Sequence, residues 1–226
     1  MAFSRTAPRP EITYLRRRPK LGETVAAPPA RAPSSLSLGR GGAAQQLPNV
    51  QVAAVRRVDG RAILSADVPA VTLDRRQSAI GSIAFDLFGG QGGVLSCAWE
   101  LVDGEAGLVS AALDVRVSPQ FGRRPIVELR KAQLIVGLRH LRSLRRLLLL
   151  AGGLDESKPT RLVGQLHDEG TIESPHTGIA PVVAALAVYQ VEGELVIRRE
   201  NFGFASAEAA AAAYGFSLTW LPPVKR

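Results

Sequence analysis

One cysteine, Cys97, and three histidines, His140, His167 and His176, are all that 226 residues contain of the commonest metal-binding and nucleophilic side chains. A single thiol excludes an internal disulfide framework and fits a reducing compartment. Cys97 lies in the apolar run Val94 to Val102, which reads it as a small buried hydrophobe rather than a nucleophile. No histidine has a second one at i+3 or i+4, so a helical zinc pair is excluded. Aromatic residues are only 5% of the chain, so its core must be built mostly from Ala, Val and Leu. The longest apolar runs, Leu147 to Leu150 and Gly178 to Val188, are too short to span a bilayer. Charge is present at the N-terminus but no apolar h-region follows it, so no secretory signal is expected. Glu11, Glu23 and dense prolines oppose the amphipathic helix of an organelle presequence, and cytoplasm is the expected compartment.

Motifs for catalysis are missing as well. No Gly-x-Ser-x-Gly nucleophile elbow occurs. Gly89-Gly-Gln-Gly-Gly-Val-Leu-Ser96 has the glycines of a phosphate cradle but no lysine, and reads as a hairpin loop. His167-Asp168-Glu169 groups three potential ligands, yet adjacent residues converge on one ion only with strain, so a solvated polar turn is the better reading. Asp155-Glu156 and Asp168-Glu169 lack the spacing of a calcium loop. No residue is nominated as catalytic, no metal ligand is assigned, and the expectation is of a protein that is not an enzyme.

What the chain does have is enough apolar content for a real core, 46%, and a net charge of +8. The charge is unevenly placed. Residues 1–40 hold eight basic side chains against Glu11 and Glu23, a net +6, so the remainder is close to neutral. Residues 1–47, rich in Pro, Ala, Arg and Ser without periodicity, read as a flexible, disordered arm. Its cluster Arg16, Arg17, Arg18 and Lys20 is a candidate polyanion-binding site through counterion release. Phe3 and Tyr14 are the only aromatics nearby, and a solubilising tail is the plainer alternative.

Residues 48–226 read as one domain, mainly β, a two-sheet sandwich with one or two short helices. Val50 to Val58 and Arg61 to Leu64 flank Asp59-Gly60, as a type I′ hairpin would. Ile83, Phe85 and Leu87 alternate as a half-buried strand, the glycines then break the chain, and Val94 to Val102 resumes it up to Asp103-Gly104. Leu113, Val115 and Val117 alternate until Pro119. Val182 to Val191, the turn Glu192-Gly193 and Glu194 to Glu200 form a second hairpin, and a short strand fits Arg161 to Leu166. Ser206 is the expected N-cap of a closing helix, with Glu208 in its first turn and Gly215 at C′. Residues 126–151 support two readings. Leu138, Leu141, Leu144 and Leu148 have helical spacing, which would put Arg139, Arg142, Arg145 and Arg146 on a basic face able to meet an acidic partner or membrane surface. Alternatively Gln133 to Leu138 and Arg146 to Ala151 are two strands joined by a tight helical turn.

The C-terminal run Glu194-Leu-Val-Ile-Arg-Arg-Glu-Asn-Phe-Gly-Phe-Ala-Ser206, continuing to Tyr214-Gly215-Phe216, resembles the end of TerD-type tellurium-resistance and stress-response domains. Leu36-Ser-Leu-Gly-Arg-Gly-Gly42 is similar to their opening, and Gln133 to Leu138 with Arg145 to Leu150 to their central strands. The resemblance implies a two-sheet sandwich, cytoplasmic or membrane-peripheral placement and a role in surviving chemical stress. It also implies calcium, held by an acidic run. Here Asp74, Asp86 and Asp114 each lack an acidic neighbour, so no ligand is carried over and no cofactor is expected. The expected function is a non-enzymatic stress-response scaffold. It would dock a protein partner in an assembly, while residues 1–40 engage an anionic surface or nucleic acid. The alternative is a nucleic-acid-associated or phage-like structural protein using the same arm.

Overall fold

The computed structural model describes residues 55–89, 92–121, 124–155, 158–176 and 180–220. The N-terminal arm, the Leu36 to Gly42 motif and the first part of the expected Val50 to Val58 strand lie outside them. Fifteen strands and two α-helices follow in order among the described residues: β1 (Arg56–Arg57), β2 (Arg61–Ile63), β3 (Ala70–Leu73), α1 (Arg75–Ala79), β4 (Ser82–Phe88), β5 (Val94–Leu101), β6 (Ala106–Ser110), β7 (Gln120–Phe121), β8 (Arg124–Pro125), β9 (Val127–Arg130), β10 (Gln133–Gly137), β11 (Leu144–Gly152), β12 (Thr160–Gln165), β13 (Thr171–His176), β14 (Val182–Val191), β15 (Glu194–Phe204) and α2 (Ala207–Ala213). The expected mainly-β sandwich is what forms. A seven-stranded sheet in the order β1-β3-β15-β14-β11-β5-β6 packs on a six-stranded sheet in the order β2-β13-β12-β4-β10-β9. Both are mixed, because β1 runs parallel to β3 and β2 parallel to β13.

The core between the sheets takes one face of each strand. Leu95, Cys97 and Trp99 of β5, Leu147 and Leu149 of β11, and Leu195 and Ile197 of β15 meet Ile83 and Phe85 of β4, Leu134 and Val136 of β10, and Leu162 of β12. The run Leu147 to Leu150 is continuous because β11 is buried on both faces. Leu148 and Leu150 belong to a second cluster with Ala184, Ala187, Ala210, Ala211 and Phe216, formed where α2 covers the large sheet. The β14–β15 hairpin closes through Glu192 and Gly193 at φ 51° and 87°, both left-handed as a type I′ turn requires. Ser206 Oγ accepts from Ala209 N at 3.1 Å, Glu208 stands in the first turn, and Gly215 takes φ 73°, so α2 is bounded as its sequence indicates.

Three readings are corrected. The helical alternative for 126–151 gives way to β9, β10 and β11, with a 3-10 turn at Leu138–Ser143 between the last two. The three-residue spacing of Leu138, Leu141 and Leu144 is the period of that turn, not of a longer helix. Asp59-Gly60 does not close a hairpin: β1 pairs in the large sheet and β2 in the small one, so the turn hands the chain across the sandwich. Val58, Ala62 and Leu64 still reach the core, which is why the local pattern looked like alternating strands. Leu113, Val115 and Val117 form no strand. A 3-10 turn spans Ala111–Leu113, and single bridges join Val115 to Ser110 and Val117 to Glu128. This connection caps the edges of both sheets, with Ser118 N donating to Val127 O at 2.9 Å and Leu129 N to Arg116 O at 2.7 Å.

Trp99 is fully buried and meets Trp220 edge to face, with centroids 5.5 Å apart. Gly107 lies against the same ring: a Cβ there would sit 2.5 and 2.9 Å from Trp99 ring carbons and 3.2 Å from Trp220 Cβ. Gly107→Ala is therefore expected to cost about 1–3 kcal/mol through overpacking. Urea unfolding would show a lowered midpoint, and an unchanged midpoint would mean that the two rings yield freely.

Candidate functional site

Two polar regions stand out, on opposite outer faces of the sandwich. Under α2, the outward positions of the large sheet change from alanine and leucine to charge. Leu144 pairs with Leu101 but Arg146 with Glu100, so Arg145 is an extra residue in β11. Both arginines therefore reach one carboxylate. Arg145 Nη1 donates to Glu100 Oε1 at 2.7 Å and Arg146 Nε to Oε2 at 2.5 Å. Arg146 also donates to the carbonyls of Tyr214 and Gly215, each at 2.8 Å, and lies 4.3 Å over the Phe216 ring. Its fork thus satisfies carbonyls that the end of α2 leaves open, on the side where a cation is favoured.

Beside it, Arg198 and Glu200 of β15 form a two-bonded pair at 2.6 and 2.8 Å, with side chains 9% and 1% exposed. The Tyr214 hydroxyl donates to Glu200 Oε2 at 3.0 Å. Burial and the Glu200 charge push the Tyr214 hydroxyl pKa up, so it stays a proton donor. Glu100, Arg146, Arg198, Glu200 and Tyr214 are each engaged with another group, and the arrangement holds the helix.

At a second irregularity, where β15 pairs with β14, Asn201 adopts φ 59° and its Oδ1 lies 3.0 Å from His176 Nδ1 on β13, tying one sheet to the other. His176 is 2% exposed, and its Nε2 and the Oγ of fully buried Ser174 have no hydrogen-bond partner among the described residues. Burial is the chief cause that lowers the His176 pKa, with the Arg199 charge acting in the same sense and the Asn201 bond opposing.

The second polar region is the outer face of the six-stranded sheet, which no helix covers among the described residues. Arg61 holds Glu173 with bonds of 2.7 and 3.0 Å, and Arg161 adds one of 3.3 Å. These contacts, the Arg61 bond first, hold the Glu173 carboxyl below the usual range. Gln133 Nε2 donates to Asp86 at 2.9 Å, and Arg130 grips Glu128 at 2.8 and 2.9 Å. At one end of this face a groove of about 330 Å³ is lined by Phe88, Gly89, Pro159, Thr160, Arg161 and Pro175.

Arg16, Arg17, Arg18 and Lys20 lie outside the described residues. The four arginines read as one basic face are divided: Arg139 and Arg142 are exposed on the 3-10 turn, whereas Arg145 and Arg146 are drawn to Glu100. Asp74 caps α1, accepting from Gln77 N at 2.8 Å, and Asp86 accepts from Gln133, so the carboxylates weighed for calcium do different work in different places. Asp168 accepts from Gln77 Nε2 at 2.9 Å and from Gly170 N at 3.2 Å, which lowers its pKa and makes 167–170 a hydrogen-bonded turn. Among the described residues no group of three or more His, Cys, Asp or Glu gathers as a metal ion would need. Cys97 is fully buried, and burial pushes its thiol pKa up. Also among them, no helix is long and apolar enough to cross a membrane.

The roles of Glu100, Arg198, Glu200, Arg61 and Glu173 were not read from the sequence. Only one hint existed: Arg198 and Glu200 share a strand face with Val196, in a hairpin whose other strand is almost wholly apolar. The chain matches no protein-family model and no curated protein.

Removing one member of the buried pair should be costly. Arg198→Leu leaves Glu200 without its counter-charge and is expected to cost about 3–5 kcal/mol, while Arg198→Leu with Glu200→Leu recovers most of it. Denaturant midpoints of the three proteins decide this, and a double variant as weak as the single one would refute it. A second expectation concerns pH. Because the fold lowers the His176 pKa, the unfolded chain takes up the proton first, so stability is lost as pH falls below 6.5. Stability curves from pH 7.5 to 5 should be flatter for His176→Gln than for the natural chain. Parallel curves would mean that His176 protonates without penalty.

Proposed function

We propose that this chain is a non-enzymatic binding domain of the TerD kind, a scaffold in a stress-response assembly tethered by its basic arm. The observation that supports it best is the division of labour between the two outer faces. The buried charges under α2 are all engaged in positioning that helix, and none is left to activate a substrate. Among the described residues the six-stranded face is ridged with charged side chains and has no helical cover, as a docking surface needs. The segment carrying the family resemblance, Glu194 to Phe216, coincides with β15, α2 and the Arg146 contacts, so the resemblance rests on a structural unit rather than on scattered residues.

In this reading the folded part docks a protein partner, and the arm adds long-range attraction to an anionic surface, screened by salt. Calcium has no part in it. A cytoplasmic location belongs to the same proposal.

The full chain and a form lacking residues 1–40 are to be compared for thermal unfolding and, at low salt, for binding to polyglutamate. Equal unfolding temperatures with clearly weaker binding by the truncated form are expected. Equal binding removes the tether. A strong preference of the full chain for a single-stranded oligonucleotide, falling steeply with salt, would instead favour a nucleic-acid-associated protein. Expression of the full chain in a tellurite-sensitive bacterium should raise survival, and unchanged survival would remove the stress-response assignment.

A further inference from the structure

The groove at the end of the open face has an unusual make-up. Phe88 is a large aromatic left 45% exposed at the last residue of β4. Beside it stand Pro159, before the first residue of β12, and Pro175, which pairs with Arg161 in the ladder. Arg161 pairs in turn with Phe88, so aromatic ring, guanidinium and proline ring occupy one row across three strands. Gly89 packs so closely on Pro159 that a Cβ would meet its carbonyl oxygen at 2.3 Å.

The charge at this end is not balanced. Glu173 is already gripped twice by Arg61, at 2.7 and 3.0 Å, and Arg161 makes only the single 3.3 Å contact with it. With Arg199, whose guanidinium donates to Pro175 O at 3.4 Å, three guanidinium groups stand on and beside this groove. Against them stand two carboxylates, Glu173 and the Gln133-bound Asp86, an excess of one positive charge. Most of the Arg161 fork remains free, and its side chain is 52% exposed. A planar fork beside apolar rings recognises a carboxylate with two parallel bonds. The two prolines supply no N–H, so two of the six lining positions offer no backbone donor to a phosphate.

We propose that this groove docks an acidic peptide segment of a partner protein, one carboxylate on Arg161 and its apolar neighbours on Phe88, Pro159 and Pro175. The proposal rests on the reading of this chain as a binding domain and names the chemistry of the partner. Arg61 keeps Glu173 neutralised while Arg161 turns to the incoming carboxylate, so the peptide need not displace a buried charge.

A capped Leu-Pro-Glu-Leu-Pro peptide carrying a fluorophore is titrated with the full chain, beside its Gln and phosphoserine counterparts. The Glu peptide should bind about tenfold tighter than the Gln peptide, the margin expected for one charge-assisted fork. Arg161→Gln should abolish that margin, Arg161→Lys should keep part of it, and Phe88→Ala should weaken both peptides alike. Arg142→Gln, on the exposed turn, should change nothing. Equal binding of Glu and Gln peptides, no binding, or no effect of Arg161→Gln would overturn the proposal, as would tighter capture of the phosphoserine peptide through Arg161. The arm is intact in all these variants, so attraction to residues 1–40 persists in Arg161→Gln and the two failures are distinguishable. Circular dichroism and melting of each variant exclude unfolding, which the half-exposed Arg161 side chain gives no reason to expect.

Discussion

The fold depends on burying both faces of the seven-stranded sheet at its centre. β11 carries Leu147 and Leu149 toward the opposing sheet and Leu148 and Leu150 toward α2, and none of the four is more than 1% exposed. A strand so apolar on both sides is stable only with cover above and below. The six-stranded sheet supplies one cover and the alanine-rich helix the other. At roughly 25 cal/mol for each Å² of apolar surface removed from water, each leucine is worth about 2 kcal/mol, so an uncovered outer face would lose much of a typical domain's net stability. This also explains the composition of α2. Ala210 and Ala211 let the helix approach Ala98, Ala184 and Ala187 closely, which bulky side chains on either surface would prevent.

Apolar contact alone would let a seven-residue helix slide or rotate on such a smooth surface. The ionic groups beside it remove that freedom. Arg146 is fixed at one end by Glu100 and reads the positions of two carbonyls at the other, while Glu200, held by Arg198, reads the Tyr214 hydroxyl. Buried pairs contribute little net stability once desolvation is counted, and their use is more often to select one arrangement among several. Here the arrangement selected is the register of α2 on the sheet. The extra residue at Arg145 belongs to the same device, because it turns two consecutive arginines toward one carboxylate.

How much of this could be read from the chain differs with the range of the interaction. The β14–β15 hairpin and the caps of α2 were legible because a turn residue or a cap acts on its own neighbours: Gly193, Ser206 and Gly215 do locally what their chemistry dictates. The segment 138–144 was ambiguous for a definite reason. Leucines three apart fit a 3-10 turn between strands as well as the first turns of a longer helix, and only the sheet on either side chooses. Asp59-Gly60 misled because a good turn sequence says that the chain reverses, not which strands its flanks will pair with. The candidate surface was least legible. Glu173 meets Arg61 across 112 residues of sequence, and Glu200, only two residues from Arg198, gains its further role from the Tyr214 hydroxyl at the end of α2. Only the division into an apolar interior and an alternating exterior was foreseeable.

The same long-range logic separates the two outer faces functionally. A face whose charges are all engaged under a helix cannot take a ligand without first losing that helix, and the helix is held by groups worth several kcal/mol when half broken. The open face has no such barrier. Its edges are closed to further strands on the β9 side by residues 116–118, so addition of a strand there is blocked and contact through side chains is what remains. Along that face the Arg130–Glu128 pair is neutral, and Gln133 satisfies Asp86 without cancelling its charge. The positive excess lies at the end where Arg61 and Arg161 share Glu173, next to an exposed aromatic ring. In the proposed reading, recognition is anchored at one end of a sheet and extends along a polar surface. That geometry favours an elongated segment over a compact ligand enclosed in a pocket.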